Sequence, residues 1–367
     1  ELETKCRQGD LEGRCYQTIL DLTRENADEI RQRFPKVLRR VGGYNLDRLL
    51  TDEPFDLSKL LVGSEGTLGL VLEAKLRLVE PPRAKVLAVA QFHRLRDAMV
   101  ATPVILRHEP SAVELMDRNL LAMTQGKTEF EPLRDFIVGD PGAILIVEFM
   151  GDSMGGLPHR IDELEADLEN LGLTNHIHRA LTPAGQARIW KLRQAGLGLS
   201  LAERGDTKAI SFVEDTSVLP DQLPEYIDRF QKILDSHETK AIFYAHASVG
   251  LLHIRPAIDM KTVGGLRRFQ AIADEVSDLV LEFGGALSAE HGDGLTRSPF
   301  QKKMFGEALY DAFCEVKEAF DQDGVFNPGK IVRATPITES LQYGTGYRTE
   351  SPETFFDFSD FHGIAGA

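Results

Sequence analysis

The most regular hydrophobic pattern in the chain runs from residue 68 to residue 78, where every second residue is apolar. Leucine or alanine occupies positions 68, 70, 72, 74, 76 and 78, and charged residues occupy positions 73, 75 and 77. Strict alternation over this length predicts a strand with one buried face. Pro81 and Pro82 follow it, and this pair predicts a domain boundary.

Upstream of that segment, residues 15–34 carry apolar side chains at helical spacing among many charges. The pattern predicts one amphipathic surface helix, which Pro35 ends.

Downstream of Pro82, short apolar runs alternate with amphipathic stretches, and short connections separate them. The runs predict strands at 85–92, 143–150, 209–213 and 240–245, and helices at 95–108, 111–124, 161–171, around 190–192, 223–234, 262–283 and 299–320. This order of elements indicates an α+β fold, in which helices cover an antiparallel sheet.

Residues 335–367 differ from the rest because they mix Tyr, Phe, Gly, Ser and acidic residues without a clear period. That composition predicts a linker. Since the chain begins with Glu1 rather than Met, we expect a piece of a longer polypeptide.

Composition narrows the classes of partner. Hydrophobic residues make up 42% of the 367 residues, which is ordinary for a soluble globular protein. The formal charge of −15 argues against nucleic acid and against an anionic membrane surface. No apolar run approaches the roughly 20 residues of a membrane span. Three cysteines without a CxxC pattern indicate a reducing compartment.

Candidate chemistry concentrates at the stretch Ser288–Gly294, which places Glu290 beside His291 and two nearby glycines. Upstream, His246 and His253 flank a glycine-containing turn between two apolar runs. If these runs pair as a hairpin, both histidines can face the same side, and Glu290 could complete a three-ligand metal site. The alternative is two ordinary hairpin histidines beside an unrelated acidic turn, and the spacing leaves both interpretations open.

Other groups favour ordinary interpretations when they are taken alone. The glycine-rich segment 63–69 lacks the spacing of a P-loop and is typical of a turn, although its backbone amides could face a flat, polar cofactor. The segment 326–330 is similar. Glu214 and Asp215 could support a site from behind, but an acidic pair at the end of a strand is common. His176 and His178 could chelate a metal, but they are typical of an exposed strand, since no carboxylate motif accompanies them.

Four arginines are candidates for gripping a carboxylate, since guanidinium groups bind carboxylates at two points. They are Arg39, Arg40, Arg193 and Arg297. Each of them would more often be a solvated surface charge.

The order of the motifs, rather than any single one, resembles a known family. Gly43-Tyr44-Asn45-Leu46, the 63–69 turn, His246-x6-His253, Ser288–Gly294 and 326–330 follow one another as in FAD-linked oxidases of the vanillyl-alcohol-oxidase type. The resemblance covers about residues 36–333. It points to the branch that contains D-lactate dehydrogenase, the glycolate oxidase FAD subunit and D-2-hydroxyglutarate dehydrogenase.

The resemblance implies the C-terminal half of an FAD-binding domain joined to a cap domain. The expected division is 1–83 (partial FAD-binding domain), 84–287 (substrate and cap domain), 288–334 (return to the flavin site) and 335–367 (linker toward an iron–sulfur domain). It implies that the residues near FAD are Gly43, Tyr44, Gly63, Ser64, Glu65, Gly66, Thr67, Gly69 and Asn327.

The resemblance also assigns chemistry to the histidine motifs. It implies that His246, His253 and Glu290 bind divalent Zn or Mn, that His291 is the general base, and that Arg39 or Arg40 grips the substrate carboxylate. The expected reaction oxidises a D-2-hydroxy acid, lactate-like or 2-hydroxyglutarate-like, with hydride transfer to FAD. Two alternatives stay open: a metal-independent FAD alcohol oxidase of the same superfamily, and a truncated, non-catalytic metal-binding or assembly domain.

The same resemblance gives expectations about partners. The electron acceptor would be a quinone, an electron-transfer flavoprotein or an iron–sulfur module whose cysteine ligands this chain lacks. We expect a cytoplasmic protein, compatible with a homo-oligomer and with peripheral binding at the inner membrane.

Overall fold

One antiparallel sheet with helices on both faces organises the chain. The computed structural model describes residues 2–51, 54–201, 205–348, 352–361 and 363–364, and for residues 197, 200 and 201 the backbone alone. Its strands are β1 Ala84–Phe92, β2 Ala112–Asp117, β3 Ala143–Gly151, β4 Thr174–Ala180, β5 Thr207–Ala209, β6 Thr216–Ser217, β7 Ala241–His246 and β8 Leu251–Asp259. Its helices are α1 Leu2–Cys6, α2 Leu11–Glu25, α3 Ala27–Arg33, α4 Ser58–Leu61, α5 Leu95–Leu106, α6 Arg118–Ala122, α7 Leu157–Leu171, α8 Pro183–Leu201, α9 Leu223–Ser236, α10 Val263–Glu282, α11 Gly294–Arg297 and α12 Gln301–Phe320.

The strand order is β4-β1-β3-β2-β7-β8-β5, and β6 pairs with β8. Each of these pairings is antiparallel. The α+β fold with an antiparallel sheet covered by helices, which the sequence predicts, is therefore confirmed.

The two faces of the sheet carry different side chains. On one face, Val113 and Leu115 join the main core under α5, α7, α9 and α10. Glu114 and Met116 alternate with them and face the other side, where α6 and α8 pack. Glu114 lies opposite His246 in the β2–β7 register, and Tyr244 lies opposite His253 in the β7–β8 register. Directly opposed residues share a face, so the sheet alone gathers these polar side chains on its second face.

The predicted helix over 15–34 is two helices. α2 ends at Glu25 and α3 begins at Ala27, with Asn26 between them. The Asn26 side-chain amide donates to the Leu22 carbonyl at 3.0 Å, and such local bonds compete with helix continuation. The end before Pro35 is confirmed, because Phe34 is already extended.

The strand predicted over 68–78 is wrong. Residues 69–80 form no strand, and their side chains are solvent-facing, with Leu72 89% and Leu78 88% exposed. A strand needs a neighbour for its backbone N–H and C=O groups, and none of the described residues pairs with this segment. The alternation of apolar and charged residues is clear, but a strand forms only where a neighbouring strand lies beside it.

The helix predicted over 111–124 is also wrong in its first half, which is strand β2. Because both faces of β2 are buried, apolar residues occupy consecutive positions and hide the period of two. The strand predicted over 209–213 ends at Ala209. Strands 85–92, 143–150 and 240–245, and the remaining predicted helices, are confirmed to within a few residues.

Asp117 at the end of β2 gives a prediction of pH-dependent stability. Its carboxylate accepts the Leu120 N–H at 2.9 Å and caps α6, and burial raises its pKa to about 7. The folded state therefore binds more protons than the unfolded state between pH 4 and 7, so stability falls as pH rises through that window. We expect Asp117→Asn, which has no charge to bury, to lose this slope in denaturant unfolding measured at pH 4.5 and pH 8. An unchanged slope in the variant would contradict this assignment.

The N-terminal helices pack against the C-terminal part of the chain rather than against the sheet. α12 contacts both α2 and α3, so these two helices are packed against a helix that lies more than 250 residues later in the chain. The tail is less linker-like than predicted, because Ile337 is buried and Leu341 and Tyr343 pack against the core. Residues 349–351, 362 and 365–367 of that predicted linker lie outside the described residues.

Candidate active site

The β7–β8 hairpin brings two of the candidate ligands together. The ring centroids of His246 and His253 lie 5.3 Å apart on the second face of the sheet. Gly250 makes the turn possible: its φ is +69°, and a Cβ there would lie 1.8 Å from the Val218 carbonyl oxygen. Only glycine fits such a turn, which explains its place between the histidines.

The segment Ser288–Gly294 reaches this hairpin, and Asp215 fixes its conformation. The Asp215 carboxylate accepts the backbone N–H groups of Ala289, Glu290 and His291 at 2.9–3.2 Å. As a result, three histidine Nε2 atoms lie around one oxygen of Glu290. Glu290 Oε1 lies 3.5 Å from His246 Nε2, 3.3 Å from His253 Nε2 and 3.3 Å from His291 Nε2.

A second layer of carboxylates lies behind these rings and contacts the Nδ1 atoms of His246 and His291 at hydrogen-bond distance, whereas the buried Nδ1 of His253 lies beyond that distance. Glu114 Oε1 lies 2.6 Å from His246 Nδ1. Glu214 lies 3.0 Å from His291 Nδ1 and 3.6 Å from His253 Nδ1. A carboxylate on Nδ1 fixes the orientation of an imidazole and directs the lone pair of Nε2 inward, as at many metal sites. The inner face of the cluster therefore gathers the three Nε2 atoms around the Glu290 carboxylate.

The electrostatics favour ionised carboxylates at the centre. The hydrogen bond from His253 and the nearby His246 and His291 lower the pKa of Glu290 to about 2. Burial opposes ionisation of Glu214, but its contacts with His253, His291 and Arg255 hold its pKa well below the usual range. The bond to Glu214 raises the pKa of His291. Burial, in contrast, raises the pKa of Asp215.

Ligand atoms of Asp215, His253, Glu290 and His291 lie within 4.8 Å of one another, so this group also has metal-binding spacing. It shares His253 and Glu290 with the predicted set. Asp215 already accepts three backbone N–H groups, whereas Glu290 points into the cluster of Nε2 atoms. Imidazole and carboxylate donors suit Zn or Mn, so the donor set fits the implied metal.

The glycine-rich turn 63–69 lies against the same Ser288–Gly294 segment. Tyr44 and Thr67 are buried and joined by a 2.7 Å hydroxyl contact. The buried Lys317 ammonium donates to the Thr67 carbonyl at 2.6 Å. The Asn327 amide donates to the Glu65 carbonyl at 2.7 Å. The Lys317 and Asn327 contacts join residues that lie 250 and 262 positions apart in the sequence.

The outer side of the turn has room for a flat cofactor. No atom lies within 4 Å of where a Cβ would stand on Gly66 or Gly69, so the backbone is open to close approach. Gly43, Tyr44, Ser64 and Thr67 are instead buried and support the turn from behind. The predicted cofactor residues thus divide into an open outer side and a buried scaffold.

Gly43 and Gly66 have similar φ angles but different surroundings, so alanine substitutions at the two positions can be compared directly. Gly43 (φ +69°) would place a Cβ 2.5 Å from Phe313 Cε2, whereas Gly66 (φ +67°) has open space. Both alanine variants suffer the left-handed strain, but only Gly43→Ala also overpacks the core. We expect Gly43→Ala to be less stable than Gly66→Ala by about 1–3 kcal/mol. Denaturant unfolding of the two variants measures the difference, and equal stabilities would contradict it.

The four candidate arginines occupy different environments. Arg193 pairs with Glu114 at 2.8 Å, and Arg297 is buried and donates to the Gly292 and Glu214 carbonyls. Arg40 pairs with Asp47, and burial lowers its pKa to about 10. Arg39 is exposed and makes no ion pair within the described part of the chain. Three of the four guanidinium groups, those of Arg40, Arg193 and Arg297, therefore bind partners within the chain.

Sequence reasoning missed the carboxylates behind the histidines. Glu114 went unnoticed because its segment was interpreted as a helix. The signal that the sequence offered for Glu114 was a charged residue within an otherwise apolar segment, because a charge is rarely buried without a partner. For Glu214 and Asp215 the sequence favours an ordinary acidic pair over a supporting role, yet each of them contacts part of the cluster. Their position directly after an apolar run was the only signal that the sequence offered.

A comparison with protein-family models identifies the family of this chain. Residues 81–331 match the model of the family "FAD linked oxidases, C-terminal domain". The chain belongs to the FAD-linked oxidase family. The match spans the sheet, the histidine hairpin and the segment 288–294, so the whole cluster lies inside the family domain.

Among curated proteins, this FAD-linked oxidase is 34% identical over 331 residues to D-2-hydroxyglutarate dehydrogenase of Pantoea ananatis, which covers 87% of this chain and 32% of that protein. It is 33% identical over 333 residues to the enzyme of the same name from Escherichia coli, with the same two coverages. It is 26% identical over 288 residues to D-lactate dehydrogenase of Anaerostipes hadrus, covering 77% of this chain and 59% of that protein.

The chain thus spans about a third of the length of the D-2-hydroxyglutarate dehydrogenases that it matches. Within the described residues, none of the helices has the length and apolar character that crossing a bilayer requires.

Proposed function

We propose that this chain carries the metal, the substrate and the general base of a flavin-dependent D-2-hydroxyacid dehydrogenase. The observation that carries the proposal is the convergence of three imidazole Nε2 atoms on Glu290 Oε1. The names of the relatives, D-2-hydroxyglutarate and D-lactate dehydrogenase, support a 2-hydroxy acid as the substrate.

We assign His246, His253 and Glu290 as ligands of a divalent Zn or Mn ion. When bound, FAD supplies the hydride acceptor, and the metal supplies Lewis acidity at the substrate hydroxyl. His253 is 3% exposed in its side chain, whereas His291 is 40% exposed. A general base must meet the substrate and exchange its proton with solvent, so the more exposed ring suits that role.

His291 is arranged to accept a proton at one defined atom. The Glu214 carboxylate accepts the Nδ1–H of His291, which leaves Nε2 as the proton acceptor for the hydroxyl of the 2-hydroxy acid. Asp215 holds the same residue through its backbone N–H. The proposed base is therefore fixed at both its ring and its main chain.

The charges around the cluster suit an anionic substrate once the metal is present. Four carboxylates and three guanidinium groups lie around the histidines and give the cluster one net negative charge. A bound divalent cation would leave it with one net positive charge. The carboxylates are Glu114, Glu214, Asp215 and Glu290, and the guanidinium groups are Arg193, Arg255 and Arg297. Arg39, which is exposed, is our candidate for the substrate carboxylate.

FAD is proposed to lie against the open side of the turn at Gly63, Gly66 and Gly69, with Asn327 at its edge. Gly43, Tyr44, Ser64 and Thr67 would shape the turn from behind. The electron acceptor and the iron–sulfur domain that the resemblance implies stay predictions.

Anaerobic reduction of the flavin tests the proposed function. We expect D-2-hydroxyglutarate or D-lactate to bleach the flavin absorbance of the loaded holoenzyme, and a metal chelator to abolish the bleaching. The L enantiomers serve as controls and should leave the flavin oxidised. Bleaching that survives complete metal removal would instead favour metal-independent alcohol oxidation.

A further inference from the structure

Glu65 is the residue of the glycine-rich turn that the structure places unexpectedly. Its φ is +54°, a left-handed conformation that a side chain disfavours. The resemblance implies that it lines the flavin. Its carboxylate instead folds back and accepts the backbone N–H groups of Asp293 at 2.6 Å and Gly294 at 3.0 Å.

The fit between Glu65 and this segment is close. Gly292 has φ +84°, and a Cβ there would lie 2.8 Å from Glu65 Oε1. On the other side, the Asn327 amide donates to the Glu65 carbonyl at 2.7 Å. Glu65 is therefore held at its backbone by one segment and at its carboxylate by another.

The segment that Glu65 binds begins two residues after His291. Asp215 holds the N-terminal side of this segment through residues 289–291, and Glu65 holds the C-terminal side through residues 293 and 294. Glu290 and His291 thus lie between two carboxylate clamps. Charge-assisted bonds to backbone N–H groups are among the stronger hydrogen bonds in proteins, so each clamp restrains the turn.

We propose that Glu65 is a positioning residue, which holds Glu290 and His291 in place by binding the backbone at Asp293 and Gly294 and so ties the glycine-rich turn to the metal site. The metal readout below rests on the proposed function, whereas the restraint on the turn does not. Without the Glu65 carboxylate, the 289–294 segment opens more often and the Glu290 ligand is less well placed.

Hydrogen exchange of the metal-free chain tests the restraint. In Glu65→Gly, glycine accepts the positive φ, and this relief offsets part of the cost of losing the two carboxylate bonds, so the fold should persist. We expect the amides of 289–294 to exchange about tenfold faster or more in this variant. Glu73→Gly removes an exposed carboxylate from the solvent-facing segment 69–80 and should leave that exchange unchanged. Exchange in Glu65→Gly equal to that of the wild type would overturn the inference.

Cobalt binding supplies a readout that loss of stability alone would not move. We expect the Co²⁺ affinity of Glu65→Gly to fall about tenfold, which is the usual effect of removing a residue that holds metal ligands in position. The visible absorption bands of the bound Co²⁺ should also change. Glu65→Gln, which keeps one acceptor oxygen, should be intermediate. Wild-type Co²⁺ affinity and bands in Glu65→Gly would overturn the inference. A wild-type chain that binds no Co²⁺ would contradict the proposed function, while the exchange result would still decide the role of Glu65.

Discussion

Replacing His253 by alanine is expected to lower kcat of the flavin-loaded holoenzyme by about 10³-fold, which corresponds to about 4 kcal/mol of activation free energy. The side chain is buried, and its Nε2 lies 3.3 Å from Glu290 Oε1. It also packs between the rings of Tyr244 and His291, at centroid distances of 4.8 and 5.0 Å. Alanine removes both the donor and this packing. Steady-state oxidation of D-2-hydroxyglutarate measures the effect.

The matched control is His237→Ala. His237 also lies beside a carboxylate, with Nε2 2.8 Å from Glu275 Oε1, but this pair is on the surface between α9 and α10. We expect its kcat to stay within about twofold of the wild type, because surface pairs contribute little. If His253→Ala retained more than a tenth of wild-type kcat, His253 could not hold the essential metal.

Glu214→Gln is expected to weaken metal binding about 10–100-fold and to lower the free energy of unfolding by about 3–5 kcal/mol. Glu214 is buried and contacts His253, His291 and Arg255, so glutamine leaves buried cationic groups without their charge partner. Metal titration and denaturant unfolding measure the two effects.

Glu282→Gln is the control for this charge removal. Glu282 makes two 2.6 Å bonds to Arg229, a tighter guanidinium pair than that of Glu214, but in solvent. We expect metal affinity and stability to stay close to those of the wild type, because solvent screens the exposed pair. Equal effects of the two substitutions would show that Glu214 has no special role in the cluster.

Local signals predicted most of the sheet and the hairpin. The β7–β8 strands are adjacent in sequence and joined by a short glycine turn, so their pairing and the shared side of His246 and His253 follow from local pattern. The alternation at 68–78 was equally clear, yet no strand forms. A hairpin contains its own partner strand, whereas an isolated alternating segment depends on a neighbour elsewhere.

The support behind the histidines was beyond sequence reasoning for a related reason. Glu114 and His246 are 132 residues apart and meet only because β2 lies beside β7. Asp215 reaches Glu290 across 75 residues through backbone N–H groups, which carry no sequence signature. Pattern identified the candidate histidines and Glu290, whereas the tertiary contacts identified the carboxylates that lie behind them.

Metal content tests the central claim most directly. We expect the purified wild-type holoenzyme to contain about one divalent Zn or Mn ion per chain by elemental analysis, as three-ligand catalytic sites do. The double variant His246→Ala/His253→Ala should retain flavin and lose the metal together with hydroxyacid oxidation. A wild-type enzyme that turns over without metal, or a double variant that keeps the full metal content, would contradict the assignment of the histidine–glutamate cluster as the metal site.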